Sequence, residues 1–243
     1  MRIKNKVKKL LSILACLMLT TIGTQAQTEP EYRLEIGAGA GLAAYQGDLG
    51  GSIASGMQPM GAAMAKYKLN PRMCWTLGFG LTQLKGSSKN NESWMPGISE
   101  KNTTFKSSVY DLQLRYEYNF WAFGTGREFY GAKRLTPFIA LGTGLVIASA
   151  KAQIPGEASK KENTVALQMP LGMGVKCKLS DRLNLTAEWM MHFTGTDCLD
   201  AIYDPYEIRS VGLFKNTDSY STLQVSVTYD LWVKCKTCHN DKD

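Results

Sequence analysis

Residues 235–239 read CKTCH, and Cys235, Cys238 and His239 have the spacing by which two thiols bind haem covalently and a histidine ligates its iron. That chemistry needs an enclosure, because haem iron is tuned by its axial ligand, the hydrogen bonds around it and burial of the macrocycle. Only residues 234–243 follow the last strand-like segment. Apart from the two cysteines and the histidine they are all Lys, Thr, Asn or Asp. Such a stretch cannot wrap a haem. The expectation is a haem-free tail in which Cys235 and Cys238 form a local disulfide or belong to a short docking segment. No cofactor is expected.

The other reactive side chains are sparse. His192 is the one histidine of the central region, and Glu188, four residues earlier, shares its face of a strand. Four strand residues span about 13 Å, too far for a hydrogen bond between them. No nucleophile or orienting carboxylate is identifiable beside His192, so a structural histidine is expected and no catalytic residue is assigned. The acidic stretch TDCLDAIYDPYE carries Asp197, Asp200, Asp204 and Glu207 but lacks the ligand spacing and central glycine of a calcium loop. It reads as a solvated loop, and no metal site is expected. Cys74 and Cys177 fall on opposite faces of their segments.

The elements that would position these groups are preceded by an export signal. Arg2, Lys4, Lys6, Lys8 and Lys9 lead into LLSILACLMLTTIG and the small-residue site TQA, which predicts a signal peptide over 1–26. Its apolar run is shorter than the roughly 18 residues of a spanning helix. Cleavage removes five basic and no acidic residues, leaving 23 of the 28 basic residues against 21 acidic. A nearly neutral mature chain gives no reason to expect a nucleic-acid partner.

From Tyr32 onward, apolar and polar residues alternate with the period of a strand in eight segments. In YRLEIGAGAGLAAY, Tyr32, Leu34, Ile36, Ala38, Ala40 and Leu42 share one face. In VYDLQLRYEYNFW, Tyr110, Leu112, Leu114, Tyr116, Tyr118 and Phe120 oppose Asp111, Gln113, Arg115, Glu117 and Asn119. The other segments lie near 58–69, 73–85, 135–149, 164–179, 183–194 and 219–233.

Tight turns at KLNPRM and KLSDRL, and a third connection after Trp121, alternate with longer polar stretches at 46–57, 86–105, 151–163 and 195–218. Short turns at one end and long loops at the other predict an all-β, eight-stranded antiparallel up-and-down transmembrane β-barrel over 27–233, with 234–243 as a periplasmic tail. The glycines separate this from a soluble barrel. Gly37, Gly39, Gly41, Gly142, Gly144, Gly172 and Gly174 all oppose the larger apolar side chains. A solvated face would gain nothing from them, whereas a narrow lumen needs room beside Arg115, Glu117, Lys176 and Glu188. Trp75, Tyr116, Tyr118, Phe120, Trp189, Tyr229 and Trp232 then face outer-membrane lipid or its interface. A filled barrel of this size has no aqueous channel, which argues against a porin.

EIGAGAGLAAYQGDL, with Glu35, Gly37, Gly41, Tyr45, Gly47, Asp48 and Leu49, resembles the opening strand of PorG-type outer-membrane barrels. The similarity continues in YKLNPR, TPFIALGTG, PLGMGVKCKLSDRLNLTAEW and TDCLD, with Cys198 where an aromatic residue is expected. The resemblance implies a non-enzymatic component of the type IX protein secretion system, associated with the periplasmic ring of PorK and PorN. It brings no catalytic residue with it. The expected location is the outer membrane, with both termini in the periplasm. A small adhesin or structural barrel is the second expectation, and a lipid-A-modifying barrel the third.

Overall fold

Alternating side chains put one face of each segment in and the other out, and the segments close on themselves. The computed structural model describes residues 30–46, 56–87, 103–125, 131–153, 155, 159–196, 198–199 and 217–233. Its strands are β1 (Tyr32–Gln46), β2 (Gln58–Asn70), β3 (Met73–Ser87), β4 (Thr104–Asn119), β5 (Leu135–Gln153), β6 (Lys160–Lys178), β7 (Leu183–Thr194) and β8 (Ser219–Val233). Each pairs antiparallel with its neighbours in chain order, and β8 pairs with β1 from Tyr45↔Tyr220 to Tyr32↔Val233 to complete the barrel. Among the described strands no sheet edge remains unpaired, as a lipid-embedded sheet requires.

The eight expected segments are these eight strands. Three are longer than expected by four residues or more at the long-loop end: β4 starts at Thr104, β5 runs to Gln153 and β6 starts at Lys160. The extensions shorten the stretches expected as loops at 86–105 and 151–163. Tyr32 also departs from expectation. Alternation assigns it to the outward face, but it is buried at the terminus end, where the Lys178 ammonium lies 5.3 Å from its ring centroid. The expected signal peptide, Gly47, Asp48, Leu49, Asp197, Asp200, Asp204, Glu207 and the tail bearing Cys235, Cys238 and His239 lie outside the described residues.

The polarity of the barrel is inverted relative to a water-soluble one. Ile36, Leu77, Leu112, Leu141, Leu171 and Val225 are exposed, Leu112 by 48 %, while Arg115, Glu117 and Glu188 are at most 2 % exposed. On β4 the exposed belt runs from Tyr110 to Phe120, about 34 Å along the strand at about 3.4 Å per residue. With the usual tilt of transmembrane strands this gives a height near the roughly 25 Å of an outer-membrane apolar band. Trp75, Phe120, Trp121, Tyr229 and Trp232 are exposed toward its terminus end, where Trp75 meets Tyr116 edge-on at 5.3 Å. Aromatic side chains suit that depth because their rings are apolar and their tips polar.

The interior is divided. Toward the loop end Tyr45, Met60, Leu84, Phe105, Val109, Val146, Leu199 and Tyr220 form an apolar core. Toward the terminus end the interior is charged. Glycines make this packing possible: Arg115 pairs with Gly142 and Glu188 with Gly174 across their ladders. A Cβ at Gly142 would lie 2.8 Å from Arg115 Cα, and one at Gly174 would lie 2.7 Å from Phe138 Cε1. Gly142→Leu is therefore expected to destabilise the reconstituted barrel by about 1–3 kcal/mol through overpacking. Urea unfolding in vesicles measures this, and an unchanged midpoint would contradict the close packing.

Candidate functional site

The charged interior is built from inward positions of seven strands. Glu117 of β4 is its hub. Its carboxylate accepts from Lys176 of β6 at 2.7 Å, Lys66 of β2 at 3.3 Å and the Thr76 hydroxyl of β3 at 2.7 Å. The Cys74 thiol donates to it at 3.4 Å, and the Arg115 guanidinium lies 3.5 Å away. Arg115 then reaches across the lumen to Glu188 of β7 at 2.9 Å, and the Gln224 amide of β8 donates to the same carboxylate.

A second cluster lies nearer the termini. Lys68 of β2 bridges Asp230 of β8 at 2.5 Å and Glu35 of β1 at 3.0 Å, and Lys178 of β6 donates to Asp230 at 2.7 Å. Thr228 donates to Glu35, and Lys178 also reaches Asn184 at 3.3 Å. Burying a charge is costly unless it is paired and hydrogen-bonded. Among the described interior side chains, Lys66, Lys68, Arg115, Lys176 and Lys178 stand against Glu35, Asp111, Glu117, Glu188, Asp218 and Asp230, five cations to six acids. Many of the pairs join strands that are not neighbours in the sheet, so they cross the bore rather than line it. The Glu117 side chain has no solvent-exposed surface.

His192 occupies neither cluster. Its ring is stacked on Tyr220 with centroids 4.3 Å apart and planes 2° from parallel. Nδ1 lies 3.3 Å from Gln168 Oε1 and Nε2 lies 3.2 Å from Thr222 Oγ1, while the Tyr220 hydroxyl donates to the same Gln168 oxygen at 2.9 Å. Glu188, the carboxylate on its own strand, is bonded to Arg115 and Gln224 instead. The ring is thus held by two neutral side chains and an aromatic face. Nearer the loops, Tyr45 donates to Asp218, whose other oxygen accepts the Leu199 backbone N–H at 2.9 Å.

The structure brings together Arg115, Glu117, Lys176 and Glu188, the four residues expected to share the lumen. Sequence reasoning missed Lys66 as their partner, and it missed Lys68, Lys178 and Asp230 of the second cluster. The signal was present in KYK, where Lys66 and Lys68 flank the outward Tyr67, and in YDL, where Asp230 follows the outward Tyr229. Cys74 is buried in the lumen and Cys177 is on the outward-facing register, as expected. Among the described residues no three His, Cys, Asp or Glu side chains gather as metal ligands would. Cys198 lies beside Thr196, whose hydroxyl oxygen accepts its backbone N–H at 3.2 Å.

A major outer-membrane protein from Thermus thermophilus shares the fold with a TM-score of 0.50 and 14% sequence identity, the match covering 82% of this chain and 99% of that one. The neisserial surface protein A gives a TM-score of 0.48 at 16% identity, covering 82% and 97% respectively. No curated protein matches the chain. The fold is thus that of the eight-stranded outer-membrane barrels. Residues 8–240 match the family described as domain of unknown function DUF6089, nearly the entire sequence, and the chain belongs to that family.

Proposed function

We propose that this chain is a non-enzymatic outer-membrane barrel that anchors the periplasmic ring of a type IX secretion complex. Its partners would be the ring proteins PorK and PorN. The cross-lumen contacts of Arg115 with Glu188 and of Glu117 with Lys66 and Lys176 carry the scaffold half of this reading. In this reading a bore filled by ion pairs leaves the outer wall, turns and loops for function. The secretion half rests on the ordered resemblance from EIGAGAGLAAYQGDL to TDCLD. Both termini and the tight turns would face the periplasm and the ring, with the long loops outside.

The polar surroundings of His192 support the non-enzymatic reading. A ring held by Gln168 and Thr222 has no carboxylate to orient it as a general base. Deletion of the gene is expected to abolish export of proteins bearing the C-terminal signal of the system, and capture of the tagged barrel should recover both ring proteins. Normal secretion without the gene would refute the anchoring role. A change in lipid A acylation that depends on His192 would instead establish an enzyme.

A further inference from the structure

Beyond the apolar belt, three outward-facing rows cross β3, β4, β5 and β6. The last apolar row is Leu81↔Tyr110↔Ile147↔Val165, and the next is the uncharged Gln83↔Ser108↔Ser149↔Asn163. The third is Lys85↔Lys106↔Lys151↔Lys161. Four lysines thus stand directly opposite one another on adjacent strands. Lys106, Lys151 and Lys161 are exposed and Lys85 is half-buried.

Like charges directly opposite one another in a sheet destabilise it. The outward positions around the row are Gln83, Ser87, Thr104, Ser108, Ser149, Gln153 and Asn163, and among the described residues no carboxylate shares the patch. The lumen of the same barrel neutralises its buried charges almost residue for residue, whereas this cationic ladder has no carboxylate among the described residues of its patch and is suited to an anion from outside the chain.

Its position identifies the anion. Each lysine lies four residues past the last outward-facing apolar residue of its strand, about 14 Å along the strand and about 10 Å along the membrane normal at the usual tilt. These positions lie at and just beyond the head-group layer, which is about 5–7 Å thick per leaflet, and lysine stems can reach back into it. With strands about 4.8 Å apart the row is about 14 Å long, enough for more than one phosphate. We propose that Lys85, Lys106, Lys151 and Lys161 form a docking ladder for the phosphorylated head group of a membrane glycolipid on the loop side of the barrel. The occupant is a lipid rather than free phosphate because the ladder continues an apolar wall that would take the acyl chains. The ladder depends on the barrel spanning a membrane, and it is independent of any secretion role.

The test uses the full chain reconstituted in phosphatidylcholine vesicles containing either diphosphoryl lipid A or its dephosphorylated form. Lipid retained on the purified protein is quantified by native mass spectrometry. Diphosphoryl lipid A should be retained preferentially, and Lys106→Gln/Lys151→Gln/Lys161→Gln should weaken retention about tenfold or more. In pure phosphatidylcholine the triple variant should melt at or above the temperature of the natural chain, which shows that it folds and that the repulsion has been relieved. Arginine at all three positions should restore retention, and Lys133→Gln at the opposite end should leave it unchanged. Equal retention of the two lipid forms, unchanged retention by the triple variant, or the same thermal stabilisation by inorganic phosphate alone would overturn the proposal. Loss of retention in Lys133→Gln as large as in the triple variant would reduce the effect to net charge and overturn it as well.

Discussion

Glu117→Gln is expected to destabilise the membrane-inserted barrel by about 3–5 kcal/mol, the scale of breaking a buried ion pair by removing one partner. The central cluster sets Glu117 and Glu188 against Lys66, Lys176 and Arg115. Removing the Glu117 charge leaves two ammonium groups facing a neutral amide in a site that excludes water. Lys66→Met is expected to be milder, since it brings the same cluster to two acids and two bases. The double variant Glu117→Gln/Lys66→Met should lie closer to the natural chain than the sum of the single effects, because the two residues are in direct contact. Equilibrium urea unfolding in vesicles reads all three. Strict additivity, or a Glu117→Gln barrel as stable as the natural one, would mean that the lumen is hydrated and the ion pairs carry little.

Leu114→Arg is expected to cost about 2–4 kcal/mol in a bilayer, the scale for a cation at the midplane on the lipid face of a barrel. Leu114 is exposed, lies between Tyr110 and Phe120 on β4, and pairs with Leu77 and Thr143 on the same outer wall. In water an arginine at so exposed a site would be almost neutral. The same unfolding experiment distinguishes the two surroundings, and a variant within about 0.5 kcal/mol of the natural chain would place Leu114 in water.

The strands and the inside-out polarity were legible because both depend only on period-2 alternation. Arg115 and Glu117 flank Tyr116, so their shared face follows from parity, and the same parity placed Lys176 and Glu188. What parity does not fix is which inward residues meet. The contact between Arg115 and Glu188 spans β4 to β7, and that between Lys68 and Asp230 requires the β1–β8 closure, which no local pattern encodes. The lysine ladder was hidden for the same reason, since four lysines scattered from 85 to 161 become neighbours only once the register of three strand pairs is known. Tyr32 illustrates the limit of alternation at a strand end. Near the barrel mouth a cation inside the bore, Lys178, draws the ring in, although its parity points outward. The parity of Cys74 was legible too, and the folded barrel holds its thiol within the lumen, away from exposed thiol chemistry.

The most direct test of the inverted barrel is the accessibility of spin labels placed singly at Tyr110, Leu112 and Leu114 and at Asp111 and Gln113, in a cysteine-free background reconstituted in vesicles. Positions 110, 112 and 114 should collide readily with oxygen dissolved in the lipid, while 111 and 113 should be immobile and shielded from both oxygen and a water-soluble relaxant. A reversed pattern, with 110, 112 and 114 open to the water-soluble relaxant, would contradict a membrane-spanning barrel with a sealed, ion-paired lumen.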